Sequence, residues 1–349
     1  LSPFFGIYAL VIYLRNLAYK NRWFRSSKFD IPVICVGNLT TGGTGKTPHT
    51  EYLINLLKED YTIGVLSRGY GRKTSGFKEV QRQSTASEVG DEPLLYKLKN
   101  PNIKICVSED RALGIPAMAT DDMCVLLDDA FQHRAVKAGI SILLTEYDNL
   151  FTRDELLPVG NLREFKSASE RADLIVVTKA PKDISTEEKQ KIIAEINPKP
   201  YQYVFFSYIE YQPMYRLFSE NTTIENKKET EVLLLSGIAN PSKMEDELKA
   251  KFKQVYTRKF RDHHVYTRKD IESIIETYNN LGDTLKVIIT TEKDVTRLLP
   301  FRETFIKNQI PIYSLPIKVN FATEDKIRFD KAIRLYIDKT LKIEELVEE

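Results

Sequence analysis

The residues best suited to chemistry lie in one run: Asn38-Leu39-Thr40-Thr41-Gly42-Gly43-Thr44-Gly45-Lys46-Thr47-Pro48. It follows the apolar stretch IPVICVG and precedes a helical pattern. Strand, glycine-rich loop, Lys-Thr and helix form the context of a phosphate loop. Glycines let successive backbone N–H groups converge on an anion, and the helix N-terminus adds partial positive charge. Thr40, Thr41, Gly42, Gly43, Thr44, Gly45, Lys46 and Thr47 are therefore the expected nucleotide cradle, with Mg2+ beside the phosphates. Lys46 would reach the outer phosphates and the Thr47 hydroxyl would ligate the metal. The first glycine of the usual G-x-x-x-x-G-K-[ST] pattern is Thr40 here, and the remaining GGTGKT carries the signal. A second acidic group is expected at a neighbouring strand end, where MCVLL runs into Asp128-Asp129. Adjacent carboxylates repel each other, so a bound cation explains them better than a helix cap does.

Three function classes use such a loop. A GTPase switch carries Asn/Thr-Lys-x-Asp to read guanine, but Thr178-Lys179 is followed by Ala180-Pro181. A partitioning ATPase carries a lysine just before the paired glycines, where Thr41 stands. A small-molecule kinase needs instead a carboxylate base and several cations near the phosphates. Candidates occur in Ser67-Arg68-Gly69-Tyr70-Gly71-Arg72, Gly90-Asp91-Glu92-Pro93, Asp110-Arg111 and Gly160-Asn161-Leu162-Arg163-Glu164. Each also has a plain reading as a glycine turn, a helix start with proline in its first turn, or a surface ion pair. Asp262-His263-His264 could hold a metal, but only His49 and His133 complete the histidine count, which disfavours zinc.

These residues need a scaffold. The chain has 349 residues, enough for two domains. A net charge of +2 gives no global basic field, so no nucleic-acid partner is expected. Cys35, Cys106 and Cys124 sit in apolar runs without CxxC spacing and read as buried thiols. Short apolar runs alternate with amphipathic stretches, the pattern of a parallel sheet covered by helices. Strands are expected at Pro32–Val36, Thr62–Leu66, Ile103–Val107, Met123–Leu127, Ile140–Thr145 and Leu174–Thr178, with helices such as Pro48–Lys58 and Glu92–Leu98 between them. A smaller set follows: Val232–Ser236, Val255–Phe260, Val287–Thr291 and Ile312–Leu315. The aromatic run 201–218 reads as extended chain joining two lobes, and the C-terminus as a helix with a solvated acidic tail. At the N-terminus, Phe4 to Leu14 is nearly all apolar, and Arg15, Lys20, Arg22, Arg25 and Lys28 follow. That order is the reverse of a secretory signal, and the run is short of the ~20 residues of a spanning helix. It suits a helix lying in the headgroups of an anionic leaflet.

Taken together, VGNLTTGGTGKTP, LSRGYGR, GDEPLL, LLDDAFQHR, LLPVGNLRE, ADLIVVTK, SGIANPSKM, FRDHHVYT and TTEKD run through nearly the whole chain. The set closely resembles the tetraacyldisaccharide 4′-kinase family, the lipid A 4′-kinases of Gram-negative bacteria, in which Ser or Thr also replaces the first loop glycine. The resemblance implies an α/β protein: a P-loop NTPase-like α/β/α lobe with a mostly parallel sheet, and a second, smaller α/β lobe joined by a β-ribbon. The implied divisions are a membrane-associated helix over 1–28, the kinase lobe over 29–200, the ribbon over 201–220 and the second lobe with its C-terminal helix over 221–349. It further implies transfer of the γ-phosphoryl of ATP to the 4′-hydroxyl of an acylated glucosamine disaccharide 1-phosphate, giving lipid IVA, at the cytoplasmic face of the inner membrane. By the same resemblance, Lys46 and Thr47 hold ATP and Mg2+, and Asp128 and Asp129 belong to the metal site. Asp91 is the base with His263 as its partner, and Glu92, Arg111, Arg163 and Glu164 support the site.

Overall fold

The computed structural model describes residues 3–219, 223–282 and 285–342; the expected acidic tail, 343–349, lies outside them. Two sheets form. The larger contains β1 (Val33–Asn38), β2 (Thr62–Ser67), β3 (Lys78–Glu79), β4 (Lys104–Val107), β5 (Met123–Asp128), β6 (Ile140–Glu146), β7 (Leu174–Thr178), β8 (Tyr203–Tyr211) and a late strand, Ile317–Phe321. The smaller contains β9 (Tyr215–Arg216), β10 (Glu231–Ser236), β11 (Gln254–Lys259), β12 (Lys286–Thr291) and β13 (Ile312–Leu315). With Ile317–Phe321 as β14, the strand orders are β14-β8-β7-β6-β1-β5-β2-β4-β3 and β11-β10-β12-β13-β9.

Strands β1, β5 and β7 are buried along their whole length, as parallel strands covered on both faces must be. Their runs of Val, Ile and Leu therefore show no alternation. Cores form on both faces, one including Leu53, Ile54 and Leu57 of the helix Lys46–Leu57, the other Ile115 and Met118 of the helix Arg111–Met118. All three cysteines are free and buried. β1 pairs in parallel with both β5 and β6. The chain leaves β1 toward one edge, through β2, and later crosses to the other through β6 and β7. Such a reversal opens a crevice beyond the carboxyl ends of the strands, here where the phosphate loop leaves β1.

The end of the chain departs from the sequence expectation. The C-terminal helix, Thr323–Leu341, was grouped with the second lobe, yet Phe329, Ile333 and Ile337 enter the core of the larger sheet. Their i, i+4 spacing makes one apolar stripe, fastened by Tyr52 Oη donating to Asp330 (2.6 Å) and Tyr61 Oη to Asp338 (2.7 Å). The expected linker over 201–220 divides as well. β8 is a strand of the larger sheet, antiparallel to the returning β14, and only β9 joins the smaller one. The smaller sheet thus hangs from the β8–β14 pair.

The N-terminal helix, Pro3–Lys20, leaves Ile7, Leu10, Val11 and Leu14 exposed. Among the described residues no helix is long and apolar enough to cross a membrane.

Candidate active site

The loop after β1 turns into the helix Lys46–Leu57 through Gly45, whose φ of +87° requires glycine at that position. The first backbone N–H groups of that helix have no intrahelical partner and are available to an anion. Pro48, in the first turn, removes a donor the helix does not need. Lys46 Nζ lies 3.4 Å from Asn38 Oδ1 and 3.7 Å from Asp129 Oδ2. The Thr47 hydroxyl donates to Glu92 Oε1 at 2.9 Å.

The two strand-end aspartates diverge. Asp128 is fully buried; Ser67 Oγ donates to its Oδ2 at 3.3 Å, and its Oδ1 has no partner. Burial, followed by the nearby Glu92 and Asp129, pushes its carboxyl up to about 7. Asp129 takes a left-handed backbone at φ +47° and pairs with Arg163 at 3.2 Å as well as with Lys46. Arg111 is buried and donates to the carbonyls of Glu109 and Asp129, leaving its Nε without a partner. These groups fit a cation held together with phosphates: an orphaned buried carboxylate oxygen on Asp128 and the Thr47 hydroxyl. Among the described residues no group of three or more His, Cys, Asp or Glu side chains is placed to hold a metal ion. Mg2+ takes few protein ligands beside its phosphates.

A second constellation joins the lobes. Gly90, at φ +90°, lies so close to Gly69 that an added Cβ would stand 3.1 Å from backbone, which brings the GDEP turn against the SRGYGR turn. The helix Asp91–Lys99 starts there. Asp91 Oδ2 accepts from His263 Nδ1 (3.0 Å) and from Arg297, with Nε at 3.0 Å and Nη2 in close contact. Burial alone would raise the Asp91 carboxyl. The hydrogen bond from His263 and the charges of Arg297 and His263 outweigh it and hold the group well below its ordinary value. The hydrogen bond to Asp91 shifts His263 upward in turn, against its own burial. His263 is also left-handed, at φ +58°, and the Tyr70 ring meets it edge-on at 5.0 Å. Backbone strain held at such positions is characteristic of functional sites. Glu92 bridges both constellations, because the oxygen that accepts from Thr47 also pairs with Lys293.

Of the residues read from the sequence, Lys46, Thr47, Glu92, Asp128, Asp129, Arg111 and Arg163 surround the loop and the ends of β1 and β5, and Asp91 meets His263. Glu164 does not face the phosphates. It is wholly buried between Arg171 (2.6 Å) and Arg15 (3.4 Å) and ties the N-terminal helix to the lobe. Arg297 and Lys293 were missed. Lys293 lies inside the TTEKD motif and Arg297 one turn later, both on the helix Glu292–Leu298, and neither was singled out as a site residue.

The profile of the tetraacyldisaccharide-1-P 4′-kinase family matches residues 1–335 of this chain. The chain belongs to this family. It is similar to the tetraacyldisaccharide 4′-kinase of Bacteroides thetaiotaomicron, with 41% identity over 97% of this chain and 92% of that protein. The enzyme of that name from Flavobacterium johnsoniae is 41% identical over 98% of this chain and 97% of its own. Among solved structures, the "apo" form of LpxK from Aquifex aeolicus in complex with ATP matches with a TM-score of 0.71 and 29% identity. That match covers 96% of this chain and 98% of that one.

Proposed function

We propose that this chain is an ATP-dependent kinase that transfers the γ-phosphoryl of ATP to the 4′-hydroxyl of a tetraacyldisaccharide 1-phosphate, forming lipid IVA. Family membership supports the reaction class. The observation that carries the reading is the helix Asp91–Lys99, whose first two residues touch both halves of a transfer site. Asp91 meets His263, while Glu92 meets the phosphate-loop hydroxyl of Thr47. A switch or partitioning ATPase has no use for an acid–histidine pair beside its loop, and a kinase acting on a sugar hydroxyl does.

In this reading, the N–H groups of the loop and Lys46 hold the phosphates. Thr47 and Asp128, with Asp129 alongside, would hold Mg2+, which supplies charge neutralisation at the β- and γ-phosphates when bound. Arg111 and Arg163 add cations where negative charge shifts during transfer. Asp91 Oδ2 is committed to His263 and Arg297, and Oδ1 receives the proton of the acceptor hydroxyl while His263 orients the carboxylate. The phosphoryl passes to the sugar oxygen, ADP leaves, and the Asp91 carboxyl then releases its proton to solvent. The exposed apolar face of the N-terminal helix, flanked by Lys20, Arg22 and Arg25, docks on the cytoplasmic face of the inner membrane, where an acylated acceptor resides. Arg15 is not free for headgroups, because it donates to Gln132 O at 2.5 Å and pairs with Glu164.

The test is phosphate transfer from ATP with Mg2+ to a detergent-solubilised disaccharide 1-phosphate, beside GTP and no-lipid controls. Brisk lipid-independent hydrolysis without a phosphorylated lipid would overturn the reading.

A further inference from the structure

Three helices carry the groups of the site, and the same three meet a second time away from it. The helix Lys46–Leu57 begins with Lys46 and Thr47, and Asp91–Lys99 begins with Asp91 and Glu92. Glu292–Leu298 brings Lys293 and Arg297 from the second lobe. Beside the phosphate loop, Glu92 bridges Thr47 and Lys293. Thr47 and Glu51 lie one turn apart on one helix face, and Glu92 and Lys99 two turns apart on another. At this second level the bridge is repeated with its charges reversed. Lys99 Nζ donates to Glu51 Oε2 at 2.7 Å and to Glu292 Oε2 at 2.9 Å. Both carboxylates are buried, and the other Glu51 oxygen has no hydrogen-bond partner among the described residues. Burial pushes the Glu51 carboxyl up to about 7, while Lys99 draws it down and Glu292 adds to the rise. Burial would lower the Lys99 ammonium in turn, but the charges of Glu51 and Glu292 outweigh it and raise it.

We propose that Lys99, with Glu51 and Glu292, is an interlobe clamp that positions the Asp91–His263 pair against the phosphate loop; the inference rests on the kinase reading above. The three are positioning residues, acting through the helices they join. Glu51 and Lys99 stay together on the first lobe, and Glu292 joins them only when the lobes meet. Its attraction to Lys99 therefore favours the arrangement in which Arg297 and Lys293, on the same helix as Glu292, reach Asp91 and Glu92. Without Lys99, closure presses Glu292 toward a buried carboxyl that must either repel it or take up a proton. The ammonium turns that meeting of two acids into a bond, and its helix carries the result to Asp91 at the opposite end. ATP is held by the loop of the first lobe, so its binding does not require the clamp.

The experiment follows lipid phosphorylation and interlobe distance in the full chain with Mg-ATP. Distances are read between spin labels at Glu187→Cys and Lys269→Cys, exposed positions on helices of the two lobes, the native cysteines being buried. Lys99→Met should lower kcat about tenfold with KM for ATP near wild type, and should shift the distance distribution. Lys99→Arg should retain most of the activity and the wild-type distances. Adding Glu51→Gln to Lys99→Met should recover a large part of kcat and return the distances, which a simple loss of packing would not allow. Glu292→Gln removes only the arm from the second lobe and should show the same losses in weaker form; it decides the matter alone if Lys99→Met does not fold. Loss of kcat and ATP affinity alike, no recovery from Glu51→Gln, or wild-type distances in Glu292→Gln would overturn the clamp. Distances that follow the charge at Lys99 in a protein that phosphorylates no lipid would leave the clamp standing and remove the kinase reading.

Discussion

The phosphate side and the acceptor side of the site are built in opposite ways. Lys46, Thr47 and Asp128 stand at the ends of adjacent parallel strands in one sheet, fixed by β1–β5 register and by a glycine-capped helix. Asp91 is held by His263 and Arg297, which are 172 and 206 residues away and arrive from the other lobe. One half is assembled by local sequence; the other exists only when two lobes meet. An enzyme arranged this way can hold a triphosphate while its base is incomplete, which limits hydrolysis by water before the acceptor is in place.

The contrast can be tested from the phosphate side first. Lys46→Ala should cut turnover by roughly 10³-fold, because a preorganised charge at the transferring phosphates is lost. Its melting temperature should stay near wild type, since Lys46 supports no core; an unfolded variant would show that the loop is structural. Arg297→Leu should act on the acceptor side and on lobe closure together. Leaving the buried Asp91 without that partner costs about 3–5 kcal/mol of stability and lets its carboxyl rise toward the ordinary range, moving the acidic limb of the rate–pH profile upward. Arg297→Lys should restore part of both, measured by denaturant titration and by kcat. Little change in either would mean that the interlobe pair does not hold the base.

Asp128 gives a smaller effect with a definite sign. Its folded-state carboxyl titrates near 7 against an unfolded value of about 3.9, so the metal-free folded state binds that proton more tightly than the unfolded chain does. Its contribution to stability is present at low pH and is lost as pH rises from about 4 to about 7. Mg2+ requires the carboxylate, so the Mg2+ concentration for half-maximal rate should rise up to about tenfold per pH unit below 7. Asp128→Asn should abolish both slopes; slopes that survive it would remove Asp128 from the metal site. The smallest effect is expected at the membrane. Leu10→Ser with Leu14→Ser leaves in place the bonds that Tyr8 Oη donates to Arg163 O (3.0 Å) and Arg15 to Gln132 O, and removes about 2–4 kcal/mol of apolar contact. Vesicle binding should fall, and KM for the lipid should rise more than KM for ATP. Unchanged vesicle binding would assign that face another role.

The same contrast sets what was legible in the sequence. Strands buried on both faces are short and apolar, and Leu174–Thr178 and Ile312–Leu315 fell where they were expected. The phosphate loop is local and could be read from its own residues. The Asp91–His263 pair has no spacing that announces it and was reached through family resemblance. Lys293, inside the quoted TTEKD motif, and Arg297 were given no role, because a charged stripe on a short helix looks the same whether it meets water or another lobe. Glu164 was placed in the site by family resemblance along with Arg163, but its carboxylate pairs with Arg171 and with Arg15 of the N-terminal helix instead. The C-terminal helix was grouped with the lobe it follows, although its stripe of Phe329, Ile333 and Ile337 completes the first.

The central claim is that Asp91 and His263 act as one unit that forms only between lobes, and a double-mutant cycle in kcat tests it most directly. Asp91→Ala should lower kcat by roughly 10²–10⁴, the usual contribution of a positioned base, and His263→Ala should lower it less, with ATP binding near normal in each. The account predicts that the double variant loses clearly less than the product of the two single losses, because the residues work through each other. Fully multiplicative losses, or an Asp91→Ala protein that no longer binds ATP, would contradict it.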